Sequence, residues 1–251
     1  MKKILLIIGI LLPILLHSQQ KRSIIVTYIK AYKNYKDKSD KAPRLMKNLE
    51  YKLWANPDEA VFKYLPAMDI DGERVNEKFI GRSGGRGVYY KNLKKRIKLH
   101  QTTSVDKEFL IDVGFNQYNW KIDKTQTKIV LGYTCYKATA IFEEYSRMNR
   151  KTKTFHYEVW FTPKIPMPFG PSGYDGLPGL VLEAHQGSFY FIAQKIKFVK
   201  NNSINVPGKG KKVTYNEFQK IAFRLFCEKL NITEEAYYEL IDKRKKSKQK
   251  N

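Results

Sequence analysis

Hydrophobic and polar residues alternate along most of this chain, with the period of two expected of half-buried strands. Ser23 to Lys30 (SIIVTYIK) is rich in β-branched residues, and between Met46 and Trp54 the residues Leu49, Tyr51 and Leu53 alternate with polar ones. Asn56-Pro57-Asp58 marks a turn, and Ala60 to Leu65 follows as a short strand. Asp69 to Asn76 is polar and turn-like, and Arg82 to Gly87 is a glycine-rich turn leading into Val88-Tyr89-Tyr90. Further strands are expected over Arg96 to Thr103, Lys107 to Val113 and Tyr118 to Ile122. One or two more fall around Gly132 between Lys128 and Phe142. Thr154 to Thr162 (TFHYEVWFT) carries the strongest strand signal. Leu180 to Ala184 and Ser188 to Phe198 form a pair about a Gln186-Gly187 turn.

Beyond Asn201 to Lys212 the period changes. Thr214 with Glu217 three residues later is a capping box. Phe218, Ile221, Ala222, Leu225 and Phe226 then recur at helical spacing. Thr233 heads a second helix bearing Ala236, Tyr237, Leu240 and Ile241. About ten short strands followed by a helical hairpin, with no βαβ alternation, predict a mainly β fold with C-terminal helices (α+β), its strands in an antiparallel meander.

The first residues have a different character. Lys2 and Lys3 precede an apolar run from Ile4 to Leu16, and the polar His17-Ser18-Gln19-Gln20 follows. This is the pattern of a secretory signal peptide, and the run is too short for a membrane span of roughly 20 residues. The expected organisation is a signal peptide over 1–19, a β domain over 20–205, and a helical hairpin with a basic tail over 206–251.

Composition narrows the partners. The 251 residues carry 47 Lys and Arg against 24 Asp and Glu, a formal charge of +23. Loss of residues 1–19 takes two lysines with it and leaves +21. An aromatic content of 14% excludes a disordered polycation, because so much apolar surface can be buried. Two cysteines exclude a disulfide-dense scaffold. In an exported protein this charge points to anionic surfaces, such as lipid headgroups or acidic polysaccharides, rather than to nucleic acid.

The most informative segment runs from Pro163 to Val181, PKIPMPFGPSGYDGLPGLV. Its prolines and glycines forbid a sheet interior. Its apolar residues Ile165, Met167, Phe169, Tyr174, Leu177 and Leu180 are expected to pack down on the sheet. Gly176-Leu177-Pro178-Gly179-Leu180-Val181 resembles the GLPGLI signature, with Val in the last place. Lys128 to Ala138 (KIVLGYTCYKA) resembles that family's K-I-x-G-Y-x-C-x-K-A stretch with one extra residue before the Gly, and Trp160 to Pro166 (WFTPKIP) its W-Y/F-T-x-x-I-P stretch. Gly170-Pro171 stands where the family has its Gly-Pro, and Tyr174 where Phe is usual. The resemblance implies an exported protein of a family without an established biochemical activity. At the level of fold, the strand pattern resembles lipoprotein-carrier-like half-barrels, which implies a curved antiparallel sheet.

No catalytic constellation emerges. There is no G-x-S-x-G, and Cys135 in its YTCYKA strand has the setting of a small buried hydrophobe. A disulfide between Cys135 and Cys227 is compatible with an oxidising compartment. His100, His156 and His185 lack metal-ligand spacing, although His156 shares a strand face with Glu158. The carboxylate pairs Asp69/Asp71 and Glu143/Glu144 sit at turns or strand ends. No metal or cofactor is implied. The expected role is that of a non-catalytic envelope-associated binding or structural protein. Its candidate binding residues are Trp160, Pro166, Gly170, Pro171, Tyr174, Gly176, Leu177, Pro178, Gly179 and Leu180. Two alternatives stay open, a periplasmic carrier of a hydrophobic ligand or lipoprotein and a hydrolase acting on envelope polymer.

Overall fold

The computed structural model describes residues 23–32, 49–65, 86–187, 189–200 and 203–248. The signal-like segment, the Asp69/Asp71 pair and most of the Arg82 to Gly87 turn lie outside the described residues. No helix among those described is long and apolar enough to cross a membrane.

Among the described residues, twelve strands form one open sheet. In chain order they are β1 (Ser23–Tyr32), β2 (Glu50–Ala55), β3 (Glu59–Leu65), β4 (Val88–Asn92), β5 (Ile97–Ser104), β6 (Lys107–Asp112), β7 (Lys121–Val130), β8 (Tyr133–Ser146), β9 (Lys151–Thr162), β10 (Leu180–Gln186), β11 (Phe189–Val199) and β12 (Lys211–Thr214). Their order across the sheet is β12-β6-β5-β4-β3-β2-β1-β11-β10-β9-β8-β7. Two meanders, β1 to β6 and β7 to β11, are therefore joined along one seam, where β1 pairs with β11 from Ser23↔Val199 to Tyr32↔Phe189.

Chain length forces this sheet to curve. Ten strand spacings separate β6 from β7, about 48 Å if the sheet were flat. The connection from Asp112 to Lys121 has only eight intervening residues and reaches about 32 Å at full extension. The two ends of the sheet must curl toward each other.

The elements form where alternation dictates. In β2, Tyr51, Leu53 and Ala55 face inward between half-buried neighbours. Tyr51 stacks on Phe62 with ring centroids 5.6 Å apart, and Phe191 meets both rings edge-on. Tyr28 donates its O–H to the Val181 carbonyl at 2.7 Å, linking the seam to β10. At the β7–β8 turn Leu131 and Gly132 both have positive φ, which matches the twist of a two-residue hairpin.

Two elements differ from the sequence expectation. The expected strand over Tyr118 to Ile122 begins only at Lys121. Tyr118 and Trp120 alternate like strand residues because they bury against a loop, as described below. The sheet is also not purely antiparallel. Lys211–Thr214 adds an edge strand parallel to β6, in register Lys211↔Phe109 to Thr214↔Asp112. Its four residues are too few to show a period.

The C-terminal helices α1 (Tyr215–Lys229) and α2 (Glu234–Lys248) bridge the two ends of the curled sheet. Thr214 and Glu217 form the expected capping box. Leu225 of α1 packs with Phe109, Ile111 and Val213 at the β6–β12 end. From the other end, Glu144 of β8 accepts hydrogen bonds from the Tyr215 hydroxyl and, at 2.7 Å, from Gln219 Nε2. Arg150, in the β8–β9 turn, pairs with Asp242 of α2 at 2.6 Å.

A lysine of the seam strand also belongs to the core. Lys30 continues the inward row Ile24, Val26, Tyr28 and is 2% exposed, with its ammonium 4.9 Å from the Phe191 ring centroid. Burial lowers its pKa from 10.5 to about 7. Between those values the unfolded chain binds a proton that the folded chain has released, so stability rises with pH across the window. Denaturant melts from about pH 7 to about pH 10 should show this rise, and Lys30→Met should flatten it.

Candidate functional site

The segment between β9 and β10 lies in the hollow of the curved sheet. Ile165, Met167, Phe169 and Leu180 join one core cluster with Val26, Tyr28, Leu53 and Phe62. Tyr174 and Leu177 join a second with Ala138, Tyr157, Val159 and Val181. The loop thus knits the two meanders into one interior, and all six apolar residues expected to pack down are buried.

Its backbone is paired despite its irregular path. Leu180 N–H donates to the Ile165 carbonyl at 3.0 Å, Val181 N–H to Phe169 at 2.9 Å, and Gly176 N–H to Pro168 at 3.1 Å. Two glycines are demanded by space. A Cβ on Gly179 would lie 2.2 Å from the Thr162 carbonyl oxygen, and one on Gly170 would lie 2.3 Å from that of Tyr174. Both contacts are with backbone, which cannot swing aside.

A charged cluster pins the loop. Asp175 is buried between Lys91 of β4 and Lys98 of β5, with each side chain 6% exposed or less. Lys91 Nζ contacts Asp175 Oδ1 directly and donates to the Phe115 carbonyl at 3.1 Å. Lys98 Nζ lies 2.9 Å from Asp175 Oδ2 and donates at 2.9 Å both to Gln117 Oε1 and to the Gly173 carbonyl. Burial works to lower the Lys98 pKa, and Asp175 offsets part of that effect. Trp120 Nε1 donates to the Asp175 carbonyl at 2.8 Å, and the Tyr118 ring stacks on Tyr174 at 5.6 Å. The connection from β6 to β7 therefore clamps the loop from above. A cavity of about 20 Å³ adjoins the cluster, lined in part by Phe62, Tyr89, Phe169 and Gly170. It has room for a water molecule and none for an acyl chain.

The expected binding residues divide into two groups. Gly170, Pro171, Tyr174, Leu177, Gly179 and Leu180 are buried and build the loop. Pro166, Gly176 and Pro178 are exposed. Trp160 is half-buried in β9, with Nε1 donating to Glu158 at 3.2 Å and the Lys128 ammonium 4.4 Å from its ring. It packs against the first cluster, while Tyr174 belongs to the second.

The disulfide expectation is corrected. Cys135 and Cys227 are both free and buried. Cys135 sits in β8 near Lys128 and Glu183, whereas Cys227 lies in α1 beside the start of α2. Burial pushes the Cys135 thiol up to about 11, which leaves it a poor nucleophile. Glu183 contacts His185 Nε2 and pairs with Lys128 at 2.6 Å. Burial acts to raise its carboxyl, and these hydrogen bonds outweigh it, so the group is held below the usual range and is unsuited to act as an acid. His156 is exposed on β9, and no three metal-ligating side chains cluster among the described residues.

The charged cluster escaped the sequence reading. The usable signal was a lysine at an inward position of a strand, as in Val88-Tyr89-Tyr90-Lys91, facing one acid in an otherwise apolar loop.

Residues 142–183 match a family model described as a protein of unknown function (Porph_ging). That span includes the whole loop and its signature. No curated protein matches the chain. Among solved structures, PNGF-II superposes with a TM-score of 0.51 at 15% identity, over 81% of this chain and 34% of that one. The chain thus spans about a third of the length of PNGF-II, and the likeness is one of fold. The Mycobacterium tuberculosis lipoprotein LppX aligns over 77% of this chain and 93% of its own, at 13% identity. Its TM-score of 0.25 carries no argument about fold.

The loop geometry predicts a sharp contrast between adjacent signature positions. Gly179→Ala should destabilise the protein by about 3 kcal/mol or more, because Thr162 must move. Pro178→Ala, at an exposed position, should stay within about 0.5 kcal/mol. Urea denaturation midpoints measure both. What the chain is similar to, in sequence, is a domain of unknown function carried by its β8–β10 region.

Proposed function

We propose that this is an exported, non-catalytic binding or structural protein of the cell envelope, of the GLPGLI type. The observation that carries the reading is that the signature loop fills the hollow of the sheet and is locked there by Asp175. A lipid carrier keeps such a hollow for its ligand, whereas here the loop's apolar residues occupy it and the cavity beside the Asp175 cluster is water-sized. A hydrolase needs an activated nucleophile or a carboxyl with a raised pKa, and neither Cys135 nor Glu183 fits. Export is supported by the charged, apolar and polar succession of residues 1–20.

In this reading the buried signature residues make a rigid base. The exposed Pro166, Gly176 and Pro178 form the contact surface for an envelope component, and the net positive charge favours an anionic one. Rigid proline-rich surfaces lose little entropy on binding, which suits a recognition role.

Expression of the full chain in a host with an outer membrane tests this. The expected result is a protein processed near residue 19, found in the envelope fraction, without lipid in its native mass spectrum. Pro166→Ala with Pro178→Ala should release it from that fraction without lowering its melting temperature. Stoichiometric bound phospholipid would favour a carrier, and an unprocessed protein confined to the cytosol would overturn the proposal.

A further inference from the structure

The Lys91–Asp175–Lys98 cluster is arranged for covalent chemistry as well as for packing. A lysine and an aspartate in direct contact, both shielded from water, are the reactants of an amide bond. Their charged forms are costly in an apolar interior, and transfer of one proton from Nζ to the carboxylate makes both neutral. The surroundings are apolar, with Phe115 4.3 Å from the Lys91 ammonium and Phe62, Tyr89 and Phe169 along the adjoining cavity.

We propose that Lys91 and Asp175 form an intramolecular isopeptide bond. Lys91 Nζ gives one proton to Asp175 Oδ1, which it already contacts. The resulting amine attacks Cγ and forms the C–N bond. Charge that develops on Oδ2 is stabilised by the Lys98 ammonium, 2.9 Å away. Oδ1 then leaves as water, taking a second proton from Nζ. An ammonium and a carboxylate become an amide and one water, with no change in oxidation state and no co-reactant. Lys98 keeps its proton throughout.

The existing partners fit the product as well as the reactants. The amide N–H inherits the Phe115 carbonyl acceptor, 3.1 Å from Nζ. The amide oxygen, formerly Oδ2, still accepts from Lys98, which retains Gln117 Oε1 and the Gly173 carbonyl. Each proton of the Lys98 ammonium therefore has an acceptor after the reaction. The cavity of about 20 Å³ beside the cluster can take the water released. Two opposite charges leave the interior, and the loop becomes covalently tied to β4.

Lys91 is assigned as the nucleophile because two polar acceptors hold it. Three hold Lys98, which suits that residue to remain a charged positioning group.

Peptide mapping by mass spectrometry tests the bond on the purified, folded full chain. The expected result is a branched peptide joining Lys91 to Asp175, lighter than its two parts by one water, with the same deficit in the intact mass. Lys91→Arg and Asp175→Ala should each restore the full mass. Asp175→Asn should give the same branched peptide by loss of ammonia instead of water. Lys98→Gln should slow its appearance during refolding, while circular dichroism reports whether the sheet has formed. Unlinked Lys91 and Asp175 peptides in quantitative yield from the folded wild-type chain would overturn the proposal, as would a branch at Lys98.

Discussion

Placing Asp175 between two buried lysines is the constraint on which the remaining architecture depends. A carboxyl group and two amines in an apolar interior each need polar partners, so each position fixes the others. The pairing holds the loop against β4 and β5 while Tyr174 and Leu177 pack against the opposite meander. Gln117 and Phe115 complete the hydrogen bonds of the lysines, so the connection from β6 to β7 is drawn over the same place. Loop, clamp and sheet curvature are thereby aspects of a single arrangement. The glycines serve it too, since Gly170 and Gly179 let two backbones meet where a side chain would separate them.

Much of this was legible in the sequence. Alternation located the strands, and the Thr214–Glu217 box located the first helix to the residue. The inward packing of the Pro/Gly segment followed from its spaced apolar residues. The failures have physical reasons. Tyr118 and Trp120 alternate because they bury on a loop, and periodicity cannot distinguish that surface from a sheet. β12 is four residues long and takes its place from β6, a partner about a hundred positions earlier. The two cysteines, which the sequence leaves compatible with a disulfide, are free in the structure, one in β8 and the other in α1. The charged cluster was hidden for a related reason. Lysine is read as a surface residue unless its partner is known, and the partner lies 84 positions from Lys91 in the chain.

The GLPGLV signature also acquires a different meaning once it is seen in space. Most of GLPGLV is interior. Gly179 and the two leucines answer to packing, whereas Gly176 and Pro178 are exposed. The signature lies near the C-terminal end of the span that matches the family of unknown function. The likeness in fold to a segment of PNGF-II is consistent with a scaffold that can serve different ends.

The seam between β1 and β11 has a consequence for biosynthesis. Of the described strands β1 is the earliest in the chain, yet one of its two neighbours is encoded about 170 residues later. Until that neighbour arrives, the nascent chain carries one unsatisfied flank of backbone N–H and C=O groups in the middle of its future sheet. Such distant pairing slows folding and exposes the chain to mispairing with other molecules. The protein is therefore expected to depend on holding factors during synthesis more than its modest size suggests.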